Sequence, residues 1–335
     1  MKFIRTPIAS IGLAFALCLS FSLTQAQPAT GQQAVPQNAD TSRPNPPAVR
    51  SWSGDTRVQS RTYVFTNTGE TLPYAVFVST KVAKGKPAPL IVALRGAGGN
   101  PGVFMHEPAL KLAEEGGYVM VAPMGYSAMA NFGNPAMAMG MGGFGRRAGV
   151  PTNAPGIASQ LPGTNQPPGG PQPGRGGMGM PAGGGADQSK ASEYSEQDVM
   201  NVLAMVRKEF NIDNRRIYLM GHSQGGAGAL HIADKYSSIW AAVAGLSPGA
   251  PGFQLDANAR FKDVPVLLLV GDKDGFIGSV QRLDERMKSL NIPHEYMEVP
   301  GKDHGGIIMG GMTNVFQFFG QHTKPWRPAK RSARS

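Results

Sequence analysis

The stretch from Arg216 to Gly226, Arg-Ile-Tyr-Leu-Met-Gly-His-Ser-Gln-Gly-Gly, limits what this chain can fold into more than any other. Apolar, β-favouring residues run straight into Gly221-His222-Ser223-Gln224-Gly225, and a small-residue helical pattern (Ala227, Gly228, Ala229) follows. That is a strand, a very tight turn and a helix, with a serine at the apex. Glycines on both sides of Ser223 remove the Cβ atoms that would clash where strand and helix cross closely. A serine hydroxyl is a weak nucleophile at neutral pH, so acyl chemistry needs it lifted clear of the backbone and set beside a base. The competing reading is an ordinary glycine-rich loop with a solvated serine.

The flanking segments alternate between strand and helix patterns. Val58–Phe65 and Leu72–Thr80 read as strands joined by a turn at Asn67-Thr68-Gly69. Pro89–Leu94 and Tyr118–Pro123 are continuous apolar runs, as in strands buried on both faces. A helix is expected over Phe104–Glu115 and another after a capping box formed by Ser195 and Asp198, with Val199, Val202, Leu203, Val206 and Phe210 on one face. Beyond the serine, Trp240–Leu246, Val264–Val270 and Glu295–Val299 read as strands, and Val280–Leu290 and Ile307–Phe319 as helices. The fold class is therefore α/β, a mostly parallel central sheet with helices on both faces.

The ends are of a different character. Lys2 and Arg5 precede an apolar run from Ile8 to Leu23, and Thr24-Gln25-Ala26 closes it with small residues. Residues 1–26 read as a signal peptide cut after Ala26, with an uncleaved anchor as the alternative. The expected location is periplasmic or secreted, with no stable membrane insertion after cleavage. Cys18, the single cysteine, falls inside that signal, so the mature chain has no disulfide and its stability rests on burial. Residues 27–50, rich in Pro, Gln and Asn, read as a disordered leader. The single domain expected over 51–322 carries a low-complexity Gly/Pro/Met insertion at 129–188, and a basic tail occupies 323–335. The formal net charge of +10 is partly that tail, so a solvated tail is a better reading than a nucleic-acid surface.

A nucleophilic serine needs a histidine base and a carboxylate that holds the histidine's tautomer. In a sheet of this kind the order is serine, acid, histidine. Gly271-Asp272-Lys273-Asp274-Gly275 follows one late strand, and Pro300-Gly301-Lys302-Asp303-His304-Gly305-Gly306 follows the last. His304 is the base expected. Asp274 is preferred as the acid over Asp272, with Asp272 as a turn residue, and Asp303 is badly placed to hold the ring beside it. His222 is expected to pack under the turn and His231 to be structural. Oxyanion donors are expected from the backbone N–H of Gln224 and from the glycine loop Arg95–Gly99, with Ala97 ahead of Gly98. No zinc-type spacing or phosphate loop appears, and the Met pairs of the insertion are a weak case for soft-metal ligation. No metal or cofactor is implied.

Tyr194–Val199, Asn211–Tyr218, Gly221–Gly226 and Trp240–Val243 together resemble secreted α/β-hydrolases. The closest likeness is to polyhydroxybutyrate-depolymerase and feruloyl-esterase-like esterases and related predicted peptidases. The resemblance implies an α/β-hydrolase with Ser223 as nucleophile, Asp274 as acid and His304 as base. Its substrate would be a small-molecule or polymeric ester. A serine peptidase and a non-catalytic, polymer-binding hydrolase fold are the alternatives. Two positions depart from the pattern: Arg95 stands where the oxyanion loop usually has histidine, and Val270 where a histidine precedes Gly271. Arg95, with Gly98 beside it, is accordingly expected to contact substrate, and its charge suits an anionic acyl group. Oligomeric state is not legible.

Overall fold

The structure, a computed structural model, describes residues 51–133, 190–249 and 263–325. Four of its strands are apolar along their whole length and buried at every position: β3 (Ala88–Leu94), β4 (Val119–Pro123), β6 (Ala242–Leu246) and β7 (Val266–Gly271). Strands of that composition are stable only with both sheet faces covered. With β1 (Val58–Val64), β2 (Thr71–Val78), β5 (Ile212–His222) and β8 (His294–Val299) they form one eight-stranded sheet in the order β1-β2-β4-β3-β5-β6-β7-β8. β2 runs antiparallel to both of its neighbours, and every pairing from β4 across to β8 is parallel. This is the α/β-hydrolase architecture.

Side chains of successive strand residues point to opposite faces, and the two faces receive different helices. Leu90, Val92, Leu219, Val243 and Leu268 pack with α2 (Ala191–Glu209), α3 (Gln224–Lys235) and α4 (Ile277–Ser289). Ile91, Ala93, Tyr218, Ala244 and Leu267 pack with α1 (Ala109–Gly116) and α6 (Met312–Gln321). The parallel strands thus all aim their carboxyl ends at one rim, where the loops after β3, β5, β7 and β8 meet. Tyr218 of β5 stacks on Phe319 of α6 at 4.7 Å and 16°, and its hydroxyl donates to the His322 carbonyl at 2.8 Å.

Several boundaries differ from expectation, each for a local reason. The first helix is a 3-10 turn at Pro101–Phe104 followed by α1, because Pro108 has no N–H and disfavours helix at the residue before it. α2 begins at Ala191, so Ser195 and Asp198 are no capping box; they lie inside the helix on its buried face. Trp240 precedes β6 and is buried beside it. The last helix is broken into α5 (Gly306–Gly310) and α6 at Gly310-Gly311, where helix propensity is lowest. Within residues 129–133, expected to begin the insertion, Asn131 and Phe132 are buried, while Met129 is exposed. The signal, the leader, the rest of the insertion and the tail beyond 325 lie outside the described residues. No helix among the described residues is long and apolar enough to cross a membrane.

Phe319→Ala removes a fully buried ring from the face opposite α3. It should lower unfolding free energy by about 3–5 kcal/mol, measured by urea denaturation.

Candidate active site

β5 ends at His222 and α3 starts at Gln224, leaving Ser223 alone to make the reversal. Its φ of 55° and ψ of −120° lie in a region that side-chain-bearing residues rarely occupy. The crossing permits no side chain beneath it. A Cβ on Gly221 would lie 2.1 Å from the Gly225 carbonyl oxygen, and one on Gly225 would lie 2.3 Å from those of Leu94 and Arg95. The Ser223 carbonyl accepts the Ala227 and Gly249 N–H groups at 3.1 Å each, and its own N–H donates to Leu246 at 2.9 Å. The serine is thereby held at the carboxyl rim by β6 as well as by its own turn.

His304 Nε2 lies 2.9 Å from Ser223 Oγ, and His304 Nδ1 lies 2.9 Å from Asp274 Oδ2. A carboxylate only accepts, so Nδ1 carries the proton and Nε2 is left with a lone pair toward the hydroxyl. Asp274 is 2% exposed. Burial works against its charge but is outweighed by its polar neighbours: the Ser247 hydroxyl, the Phe276 N–H at 2.8 Å and the imidazole. Its pKa therefore lies below the ordinary carboxylate value. Asp272 serves the turn, its Oδ1 accepting the Gly301 N–H at 2.7 Å. Asp303 accepts the Gly306 N–H at 2.7 Å. The Phe276 ring stands 4.7 Å from the imidazole.

The loop after β3 runs against the serine: a Cβ on Gly96 would be 3.3 Å from that of Ser223. Gly98 donates its N–H to the Ala128 carbonyl at 2.9 Å, and Gly99 donates to Gly96 at 3.1 Å. Among the described residues the N–H of Ala97 has no partner, and neither does that of Gln224 at the first position of α3. The α3 terminus adds its dipole there. Arg95 is not in contact with solvent, contrary to the substrate-binding role expected of it. It is 1% exposed, and its guanidinium is turned inward onto backbone carbonyls.

Other polar contacts around the site were not anticipated from sequence. The Gln224 side chain donates to the Met129 carbonyl at 3.0 Å and to Asn131 Oδ1 at 2.6 Å, and accepts from Arg95 at 3.2 Å. Asp198 accepts the Tyr63 hydroxyl and the Gly125 N–H, both at 2.7 Å. Burial pushes its pKa up to about 6 against those bonds and the nearby Arg95 charge. From sequence Asp198 reads as half of a capping box with Ser195, although it also stands as a carboxylate on the apolar face of a helix. Glu196, also on α2, binds His231 and Lys235 of α3 and the hydroxyl of Tyr236 just after it, which fits the structural part expected of His231. Among the described residues no group of three His, Cys, Asp or Glu side chains is placed to hold a metal, and the Met pairs lie outside them. A cleft of about 410 Å³ lined by Pro265, Val266, His294 and Phe318 opens at the amino ends of β7 and β8, opposite Ser223.

A model described as the dienelactone hydrolase family matches residues 75–307. No curated protein matches the chain. Among solved structures, a thermostable esterase aligns with a TM-score of 0.51 at 18% identity over 80% of this chain, which spans 64% of that esterase's length. An S-formylglutathione hydrolase from Agrobacterium tumefaciens aligns at 0.51 and 16% identity, covering 80% of this chain and 95% of its own. A ferulic acid esterase from Anaeromyces mucronatus, in complex with ferulic acid, gives 0.52 and 16%, covering 82% and 96%. At these identities the likeness is one of fold.

His222 packs beneath this site. Its Nε2 lies 2.7 Å from the His304 carbonyl, which only accepts, so the ring donates from Nε2. Burial and the neighbouring His304 lower its pKa to about 4, from an ordinary value of 6.5. Between those two values the unfolded chain takes up a proton that the folded chain refuses, so stability falls as pH drops through the window. Relative to a His222→Asn variant, the wild type should lose about 3 kcal/mol of unfolding free energy between pH 7 and 4, read from urea melts at each pH.

Proposed function

The chain belongs to the dienelactone hydrolase family and is a hydrolase of the α/β fold, and we propose that it cleaves carboxylic esters through an acyl-enzyme on Ser223. The observation that carries this reading is the unbroken line of hydrogen bonds from Asp274 through His304 to Ser223, 2.9 Å at each step. The Ala97 and Gln224 N–H groups, without partners among the described residues, support it further.

In this reading Ser223 Oγ attacks the ester carbonyl while His304 Nε2 takes its proton. Asp274 keeps the other ring nitrogen protonated and stabilises the imidazolium that forms. The carbonyl oxygen, now an oxyanion, receives the Ala97 and Gln224 N–H groups. Collapse of the tetrahedral intermediate expels the alcohol, which leaves with the proton from Nε2. Water then repeats the sequence on the acyl-enzyme, with the same imidazole as base, and frees Ser223. The chemistry calls on side chains and backbone of this chain alone.

A fluorophosphonate probe should label the wild type and leave Ser223→Ala unlabelled, while ester turnover in the variant falls by at least about 10⁴-fold. The wild type should cleave an ester far faster than the amide of the same acyl group. Equal labelling of both proteins would defeat the proposal, and faster amide cleavage would move the function to a peptidase. A series from acetyl through long acyl to feruloyl esters would define the acyl side.

We further propose that the enzyme works outside the cytoplasm, supported by the Lys2/Arg5, apolar and Thr24-Gln25-Ala26 sequence pattern. The exported protein should begin at Gln27 by N-terminal sequencing of the extracytoplasmic fraction; recovery of the chain in the cytoplasmic fraction alone would sink this.

A further inference from the structure

We propose that Arg95 is a positioning residue for the oxyanion-binding groups, acting through the loop 124–130 and not on substrate. The proposal rests on the esterase reading of Ser223 and concerns what holds the two backbone donors in place.

The guanidinium is spent on the backbone. Nε donates to the Met124 carbonyl at 2.7 Å, and Nη1 to Gly96 at 3.1 Å and to Gln224 Oε1 at 3.2 Å. Nη2 donates to the Ser127 carbonyl and reaches that of Ala130 at 3.5 Å. The Phe132 ring covers the group, 5.1 Å from Cζ. A planar fork of five donors can bind several carbonyls at fixed angles, which an ammonium cannot. From the other side, α2 takes the N–H groups of the same loop: Asp198 accepts that of Gly125, and Ser195 Oγ that of Tyr126 at 2.9 Å. Gly125 lies tightly between them, and a Cβ there would be 3.1 Å from Arg95 Nη2. The loop is therefore clamped by its carbonyls to a buried cation and by its amides to a buried helix face.

Both donors hang from that clamped loop. Ala128 accepts the Gly98 N–H, which fixes the peptide plane next to Ala97 and removes Gly98 as a donor. Met129 and Asn131 accept the two N–H bonds of the Gln224 side chain, so the residue that begins α3 is tied to the same segment. Arg95 touches the oxyanion loop through Gly96, the clamped loop through Met124, Ser127 and Ala130, and Gln224 directly. Oxyanion donors act only at short range from where charge develops, so a small drift of either is felt in the transition state far more than in substrate binding.

The test compares the full chain with Arg95→Lys and Arg95→Met, using p-nitrophenyl esters of a neutral acyl group and of a dicarboxylic acid monoester. In Arg95→Lys, which keeps the charge that faces Asp198, kcat should fall at least about tenfold on both esters with KM within about twofold. Amide hydrogen exchange should quicken in segments 96–99 and 124–130. Arg95→Met should lose more; if it does not fold, the lysine variant carries the comparison. A loss confined to the anionic ester, or appearing in KM, would return Arg95 to substrate binding and overturn the proposal. Unchanged kcat or unchanged exchange would overturn it too. A wild type inactive on both esters would defeat the esterase reading instead, and exchange in the lysine variant would still decide whether Arg95 anchors the loops.

Discussion

Everything at the rim depends on a crossing too tight for side chains. Where β5 gives way to α3, Gly221 and Gly225 meet backbone at distances no Cβ tolerates, and Ser223 takes up the reversal in a strained conformation. That contact brings the carbonyls of Leu94 and Arg95 against α3 and so fixes the spacing of β3, β5 and the helix terminus. The glycine loop after β3 and the first N–H of α3 then face the serine as a consequence of the crossing. The strain is stored at one residue and sustained by the burial on both sides of the sheet.

Around this crossing lie more buried charges than a chain of ordinary composition suggests. Arg95, Asp198 and Glu196 are each nearly sealed from water, and each is surrounded by donors or acceptors that suit its sign. An isolated charge in such a place is costly, whereas one bound on several sides holds its partners to one arrangement. For Arg95 the partners are mostly backbone carbonyls of a loop with little secondary structure, and Asp198 takes one N–H of the same loop, whereas Glu196 is bound by side chains. A loop that cannot satisfy itself is satisfied by the helix and the cation that enclose it.

What was legible in the sequence follows from what is one-dimensional. Continuous apolar runs at Pro89–Leu94, Tyr118–Pro123 and Val264–Val270 predict strands in the sheet interior, and strands lie there within two residues of those bounds. Gly221 and Gly225 announce the crossing because only glycine fits it. The choice between Asp272 and Asp274 is another matter, since it depends on which way a two-residue offset turns within one loop. The burial of Arg95 was illegible for a deeper reason: its partners are mostly main-chain carbonyls, of Gly96, Met124, Ser127 and Ala130, and main chain leaves no mark on sequence. Ser195 and Asp198 resembled a helix start because polar residues three apart usually mean one, although here they serve the neighbouring loop. Met129–Gly133 shares its composition with the stretch that follows, so burial of Asn131 and Phe132 had no advance signal.

The three loops of the site do not hang from equivalent strands. Ser223 and Asp274 follow β5 and β7, each gripped by a neighbour on both sides, whereas His304 follows β8, which among the described residues pairs with β7 alone. Compliance is therefore shared out unevenly. The oxygen that would be acylated and the carboxylate sit in the stiff middle of the molecule, and the imidazole rides on its margin. A proton carrier must swing slightly between two oxygens over a reaction cycle, and the margin is where a sheet yields without disturbing its interior.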